Sequence, residues 1–141
     1  AKGVLKMLIK TLTLFFCGGV LYYSIEIMWR DHSHVSMFLD GGVCFVLIGL
    51  MNEVVPGLPL AVQAILGASL ITLSELLVGS LVNLRLGLNV WDYSSQPMNY
   101  RGQVCLPFFL LWIPLAAFAS VVDDTLRFWL FAEPWPPFTL F

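Results

Sequence analysis

The stretch Ser74–Gln103 reads SELLVGSLVNLRLGLNVWDYSSQPMNYRGQ and connects two apolar runs of the chain. Its first part, up to Leu86, is rich in leucine and valine but also carries Glu75 and Asn83. From Gly87 onward it becomes polar, aromatic and rich in turn-forming residues. Apolar runs of hydrocarbon length, joined by polar connections, are typical of helices that span a membrane. The stretch therefore indicates the fold class, and it also concentrates the residues from which a site could be built.

The composition of the whole chain agrees with a membrane protein. Hydrophobic residues make up 59% of the 141 residues, charged residues make up 11%, and the mean hydropathy is +0.86. A soluble domain averages about 25% charged residues, so most of this surface does not face water. The net charge of −2 provides no basic field for binding nucleic acid.

Four apolar runs predict four transmembrane helices in a single domain, residues 1–141. The predicted spans cover residues 11–29, 35–55, 60–86 and 103–122. A short polar link at Asp31–His34, a proline turn at Pro56–Pro59 and the long polar loop separate them. The tryptophans and prolines of residues 123–141 suit the headgroup zone of a bilayer. We therefore expect an all-α, integral membrane four-helix bundle with an interfacial C-terminal tail.

The basic residues predict an orientation. Three lysines that lie on one helical face before the first span favour a cytoplasmic N-terminus, which puts the long loop on the outer face. The two sides then carry four and three basic residues: Lys2, Lys6, Lys10 and Arg127 inside, and Arg30, Arg85 and Arg101 outside.

Each of the first three spans contains one glutamate, Glu26, Glu53 or Glu75. A charged side chain at the centre of a membrane helix costs at least roughly 2.5 kcal/mol, so we expect these carboxylates to face the bundle interior. The alternative is that they lie near the membrane surface and pair with an arginine. Glu53, one turn before Pro56, fits this alternative best, whereas Glu75 lies near the middle of its span.

Polar residues form a stripe on two of the predicted helices. Tyr22, Glu26 and Arg30 follow one another at intervals of four residues, and Glu26 precedes Arg30 in the favoured order for a helical ion pair. Glu75 and Asn83 share a face of the third span. We therefore expect a polar site between helices.

The loop after the third span combines an acid, a base, an amide and two aromatic rings. These side chains are Trp91, Asp92, Tyr93, Asn99 and Arg101. They could simply cap turns and anchor the loop at the interface. They could also form a lid, in which Arg101 reaches an acid at a cavity mouth and Asp92 caps the fourth helix, beginning at Gln103. Helix connections in bundles usually take about 2–8 residues, so the length of the loop favours the lid.

The sequence contains no Ser-His-Asp order, HExxH, Walker loop or GxGxxG motif, so it assigns no catalytic residue and no cofactor. Cys17, Cys44 and Cys105 lie in or beside apolar runs without CxxC spacing and are interpreted as packing residues. His32 and His34 could begin a metal site, but a solvated loop is the preferred interpretation. We therefore predict no metal.

Several of these segments resemble the ABC-transporter type IV family, which comprises small bacterial integral membrane proteins with four-span relatives in animals. The resemblance rests on Glu26, Glu75–Gly79 and Trp91–Ser94, followed by Asn99, Gly102 and Trp112. The chain departs from the family pattern at Met37–Gly49. The resemblance implies a permease component in the bacterial cytoplasmic membrane, although the sequence has no nucleotide-binding motif.

Two functions from different classes follow as expectations. The first is a transport or channel subunit whose small size requires a homo-oligomer. The second is a non-transporting partner of another membrane subunit, and a membrane-embedded lipid-modifying enzyme is a third possibility. In each case the chain contacts membrane lipids. The candidate pathway residues are Glu26, Glu75, Asn83, Trp91, Asp92, Tyr93, Asn99 and Arg101, with Tyr22, Arg30, Glu53 and Gln103 as secondary candidates.

Overall fold

The computed structural model describes all 141 residues, and its named elements are all helical. The helices are α1 (Lys2–Arg30), α2 (Val35–Val54), α3 (Leu60–Gly79), which continues as a π-helix over Ser80–Arg85, and α4 (Leu106–Phe131). Each of the four is long and apolar enough to cross a membrane. The predicted four-helix membrane bundle is therefore confirmed, and the chain is an integral membrane protein.

The bundle has two distinct ends, because successive spans run in opposite directions. The Asp31–His34 link and residues 86–105 lie at one end, which we call the loop end. The turn at residues 55–59 and the C-terminal residues 132–141 lie at the other, which we call the tail end.

The four helices pack as two pairs, α1 with α2 and α3 with α4, and α2 joins the pairs. The core between them consists of aromatic, branched and small side chains such as Phe45, Ile48, Ala68 and Ala116. By contrast, α1 hardly touches α4. Helix α1 is therefore held sideways by α2 almost alone, and a cleft remains between α1 and α4.

Close approach of α1 and α2 depends on two glycines of α2. A Cβ atom added to Gly42 would lie 2.7 Å from the Phe15 ring, and one added to Gly41 would lie 2.6 Å from Tyr22 Cβ. Small residues let membrane helices approach until their backbones nearly touch, which increases dispersion packing. These glycines fix the distance between α1 and α2.

The fourth helix is longer than the predicted fourth span. Helix α4 runs on to Phe131, so the non-helical tail begins at Ala132 and not at residue 123. The helix continues because Asp123 and Arg127 form an ion pair at i, i+4 inside the bundle, where Asp123 is 0% exposed. The helix also begins later than predicted, at Leu106, since Gln103 belongs to the loop.

The tail returns to the first turn of α3. The backbone N–H groups of Leu60 and Ala61 donate to the carbonyl oxygens of Thr139 and Leu140, at 2.9 and 3.0 Å. The first N–H groups of a helix have no partner within the helix, so the tail supplies two of the missing acceptors. The location of the tail at the membrane interface stays a prediction.

Candidate functional site

A cleft of about 550 Å³ lies between α1 and α4 at the loop end. Its volume falls within the roughly 300–1,000 Å³ that is usual for small-molecule sites. Six aromatic side chains line it: Tyr22, Trp29, Tyr93, Phe108, Trp112 and Phe118. Four polar side chains also line it: Glu26, Arg30, Asp92 and Gln96. The cleft therefore combines an aromatic wall with charged groups.

Glu26 forms part of the α1 wall of the cleft. Its Oε1 accepts a hydrogen bond from the Tyr22 hydroxyl at 2.8 Å. Its Oε2 accepts from both Nε and Nη2 of Arg30, each at 2.7 Å. The three residues are one helical turn apart, so α1 alone builds this arrangement. The Glu26 carboxylate is thus fixed in place and its charge is balanced by Arg30.

Glu75 lies behind the opposite wall and is only 4% exposed. Its Oε2 accepts from the Tyr93 hydroxyl of the loop at 3.0 Å, and its Oε1 accepts from Trp112 Nε1 of α4. No Lys or Arg side chain forms a salt bridge with it. Three segments of the chain therefore meet at a buried carboxyl group that only neutral donors hold.

The two glutamates belong to one cluster of aromatic and carboxyl groups. The rings of Tyr22 and Trp112 pack edge to face with their centroids 6.3 Å apart, and each ring carries the hydrogen bond to one glutamate. Tyr93 stacks on Phe108 at 4.5 Å. Tyr93 and Trp112 both line the cleft, so they form the partition between Glu75 and the open space.

The loop keeps its shape through its own polar side chains. Asp92 Oδ1 accepts from the Ser94 backbone N–H at 2.9 Å, and this bond holds the pKa of Asp92 below its ordinary value. Asn99 Nδ2 donates to the Ser94 and Gln96 carbonyl oxygens, and its Oδ1 accepts from the Gly102 N–H. Asn99 therefore stabilises the loop, whereas the ionised Asp92 lies at the mouth of the cleft.

The burial of Tyr93 affects its own ionisation. Burial, and next the nearby Glu75 carboxyl group, raise the pKa of the Tyr93 phenol above its ordinary value. The phenol therefore stays protonated and remains a donor to Glu75.

A second set of bonds fastens the loop to α3, away from the cleft. Asn83 Nδ2 donates to Gln103 Oε1 at 2.8 Å, and Asn83 Oδ1 accepts from the Val90 N–H at 2.6 Å. Trp91, 5% exposed, donates its indole N–H to the Gln103 carbonyl oxygen at 3.0 Å. Asn83 lies in the π-helix, a form that often marks functional sites. Asn83, Trp91 and Gln103 position the loop and do not line the cleft.

The expectation that Arg101 reaches an acid was wrong. Its guanidinium lies 5.5 Å from the centroid of the exposed Tyr100 ring, and it forms no salt bridge. Positive φ angles at Arg101 (54°) and Gly102 (71°) make a tight turn at this point. Asp92 likewise caps its own turn at Ser94, and no side chain caps the start of α4.

One family model, described as "Putative ABC-transporter type IV", matches residues 13–130. The chain belongs to this family. The match extends through all four helices and contains Glu26, Glu75 and the complete lining of the cleft. No curated protein and no solved structure matches the chain.

This type IV protein has a second polar cluster, at the tail end, which the sequence analysis missed. Arg127 donates to Asp123 Oδ2 at 2.8 Å and also pairs with Glu53, and Lys10 bridges Glu53 and Glu133 at 3.1 and 2.7 Å. Glu53 thus pairs with Lys10 and with an arginine, Arg127, which lies on α4. The i, i+4 spacing of Asp123 and Arg127 was the signal that could have revealed this cluster.

Amide and hydroxyl side chains extend this tail-end cluster into the bundle. Asn52 donates to Asp124 Oδ1 at 3.1 Å, Gln63 donates to Asn52 at 3.0 Å, and Ser120 donates to Gln63 at 2.5 Å. These bonds connect α2, α3 and α4. Residues of this cluster do not line the cleft.

A third polar contact, around Asp40, was also missed. Ser74 Oγ donates to Asp40 Oδ2 at 3.3 Å, and Cys44 Sγ lies 3.2 Å from Ser74 Oγ. The histidines have local roles, since His34 Nδ1 accepts from the Ser36 N–H at the start of α2. No group of three or more His, Cys, Asp or Glu side chains is placed to hold a metal ion.

Proposed function

We propose that this protein is a transport or channel subunit, permease-like in type, whose intramembrane site is built on Glu26 and Glu75. The Trp91–Gly102 loop covers this site. The protein functions as a homo-oligomer in the bacterial cytoplasmic membrane, with the N-terminus inside. The family to which the chain belongs supports the coarser statement, that it is an ABC-transporter-related membrane protein.

The observation that carries the proposal is the environment of Glu75. This carboxyl group is nearly inaccessible, yet it is held only by Tyr93 and Trp112, which are neutral. Burying a carboxylate without a counter-charge is costly, so proton uptake or cation binding at this position changes the energy of the site strongly. A carboxyl group that exchanges a proton or cation is what coupling to solute movement requires.

The loop supports the proposal because it supplies one of the two donors. Tyr93 belongs to a connection and not to a helix, so a small movement of the loop exposes Glu75 to the cleft without separating the helices. Loops that close over a site usually move in this way on μs–ms timescales. The bonds of Asn83, Trp91 and Gln103 act as the fixed base of such a movement.

The apolar core supports the homo-oligomer. Phe45, Ile48, Ala68 and Ala116 fill the bundle between the cleft and the tail end, so one chain in this conformation encloses no path across the membrane. A path then requires a second chain or a second conformation. Closed cyclic assemblies of identical subunits are the usual solution for small chains.

The experiment uses protons as the probe, because they need no knowledge of the solute. Purified protein is reconstituted into vesicles that enclose a pH-sensitive dye, and the decay of an imposed pH gradient is recorded. We expect faster decay than in empty vesicles, a return toward the empty-vesicle rate for Glu75→Gln, and a reduced rate for Asp92→Asn. Asp31→Asn is the matched control, because it removes an exposed carboxylate at the same end without touching the cleft.

A second measurement reports on Glu75 directly. A membrane-permeant carbodiimide modifies accessible carboxyl groups, and mass spectrometry identifies the modified residue. We expect modification of Glu75 in a sample of defined oligomeric mass. Wild-type vesicles that decay at the empty-vesicle rate, together with an unmodified Glu75, would overturn the proposal.

One observation favours the alternative, a non-transporting partner subunit. The first turns of α1 precede Lys10 and carry the apolar side chains Val4, Leu5 and Leu8. No other part of this chain covers these side chains, so they are exposed. Such a surface fits a helix of another membrane protein as well as lipid. A preparation that is polydisperse alone, and becomes monodisperse only when a second membrane protein is purified with it, would establish this alternative.

A further inference from the structure

We propose that the cleft between α1 and α4 binds a lipophilic organic cation, which enters sideways from the bilayer. The inference rests on the proposed function, since it names the class of solute for the same site. It stands on the lining of the cleft, the balance of charges around it and the side on which it opens.

The lining is the first argument. Aromatic residues come from all three segments that enclose the cleft: α1 contributes Tyr22 and Trp29, the loop contributes Tyr93, and α4 contributes Phe108 and Trp112. The face of an aromatic ring attracts a cation by about 0.5–2 kcal/mol, and several rings around one space form the kind of cage that recognises quaternary ammonium groups. The same rings contact the apolar body of such a molecule.

The charges are the second argument. Glu26 and Asp92 line the cleft, and Glu75 lies directly behind its wall. Arg30 is the only cationic side chain in the lining, and both of its bonds go to Glu26. After Arg30 and Glu26 have paired, the charge that remains around the cleft is negative. An anionic headgroup would therefore be repelled by carboxylates and would have no free cationic side chain to bind. A cation gains from both the rings and the carboxylates.

The opening is the third argument. Because α1 and α4 scarcely touch, no helix contact closes the cleft along its outer side, and in a bundle of membrane-spanning helices this side faces hydrocarbon. Leu111 and Phe118 lie on this edge, and both are more than two-fifths exposed. A strongly hydrated solute would lose its water on this route without compensation. A lipophilic cation that is already dissolved in the bilayer can enter directly.

The test compares two ions of the same shape and opposite charge. Tetraphenylphosphonium and tetraphenylborate are titrated separately into purified protein in a neutral detergent, and binding is followed by calorimetry. We expect saturable binding of one phosphonium ion per chain and no saturable binding of the borate. Equal binding of both ions, or saturable binding of the borate alone, would overturn the inference.

Variants then locate the site. Asp92→Asn and Phe108→Leu should each weaken phosphonium binding at least about fivefold, because one removes a carboxylate and the other removes a ring. Asp31→Asn should bind as the wild type does. Thermal unfolding of each variant shows whether it is folded, and two folded variants that both bind with wild-type affinity would contradict the assignment.

The outcome is separable from that of the proton experiment. Phosphonium binding that needs Asp92 and Phe108, in a protein that moves no protons and leaves Glu75 unmodified, keeps the cation site and removes the proposed transport function. Proton movement that depends on Glu75, without any phosphonium binding, keeps the function and removes the inference. Displacement of phosphonium by phosphatidylglycerol, an anionic lipid, would also contradict a cation site.

Discussion

The loop end and the tail end of the bundle both bury acidic side chains, but they hold them differently. At the tail end, Asp123 and Glu53 share the Arg127 guanidinium, and Glu53 also meets Lys10. At the loop end, Glu75 meets only the hydroxyl of Tyr93 and the indole N–H of Trp112. The first arrangement pairs charge with charge, whereas the second supplies hydrogen bonds without any counter-charge.

This difference shows how to distinguish an acid that stabilises the fold from an acid that belongs to a candidate functional site. An acid that is paired with fixed cations, and that lies away from any cavity, ties helices together. An acid that is held by neutral donors beside a cleft has no counter-charge, so a proton or a cation can still bind to it and change its charge. Perturbed acids in clefts are candidates for function, but ion-pair networks perturb acids as well, so the partner and the cavity must both be examined.

The largest expected effect is a loss of stability when the tail-end cluster is disrupted. Arg127→Ala leaves Asp123 buried without its cation, and breaking a buried ion pair in this way costs about 3–5 kcal/mol. We expect a lower unfolding temperature and less monodisperse protein. Thermal unfolding in detergent is the measurement, with the exposed Arg85→Ala as control. Wild-type stability of Arg127→Ala would show that the tail end does not hold the helices together.

A smaller effect tests how closely the tail-end cluster is packed. A Cβ atom at Gly49 would lie 2.6 Å from Asp123 Oδ2, so Gly49→Ala displaces that carboxylate from Arg127. Overpacking of this kind costs about 1–3 kcal/mol. Gly3→Ala is the matched control, because nothing lies within 4 Å of an added Cβ there. Equal unfolding temperatures for the two variants would contradict the close packing.

The next prediction concerns the loop end, where we expect a substitution to change the accessibility of Glu75 more than the stability of the protein. Tyr93→Phe keeps the stack on Phe108 but removes the donor to Glu75, a loss of about 1 kcal/mol. We expect faster modification of Glu75 by carbodiimide, because the partition is weakened. Tyr100→Phe, at an exposed position of the same loop, should leave the modification rate unchanged. A slower or unchanged rate in Tyr93→Phe would mean that Tyr93 does not control access.

The smallest effects belong to residues outside both clusters. His32 is exposed in a link and Cys17 is a half-buried free cysteine of α1. His32→Ala and Cys17→Ala should each change the unfolding free energy by no more than about 0.5 kcal/mol. Proton-flux rates should stay at the wild-type value. A large loss in either variant would reveal a third region that matters.

The number and order of the helices could be predicted from the sequence, because long apolar runs have few alternatives in a membrane. The end of α4 could not. In the sequence, Asp123 and Asp124 suggest that the chain leaves the membrane, whereas their partners Asn52 and Arg127 keep them inside the bundle. The i, i+4 spacing of Asp123 and Arg127 is a local signal, but Asn52 lies on another helix and no local pattern indicates it.

The candidate site shows the same limit. The Glu26–Arg30 pair follows from helical spacing alone. The meeting of Glu75 with Tyr93 and Trp112 needs three segments to come together. Only Glu75 and Tyr93 were candidate pathway residues, whereas Trp112 entered through the family resemblance alone. Arg101 was assigned to an acid because its charge suggested it, whereas its left-handed backbone conformation was invisible in the sequence.

Because α1 is weakly attached to the rest of the bundle, the width of the cleft depends on the thickness of the bilayer. The apolar part of α1, residues 11–29, is about 28 Å long and matches a hydrocarbon layer of about 30 Å. In a thinner bilayer such a span tilts, and the tilt of α1 is opposed sideways by α2 almost alone. Each degree of tilt changes the separation between α1 and α4. Affinities measured in lipids with short and long acyl chains therefore describe clefts of different width.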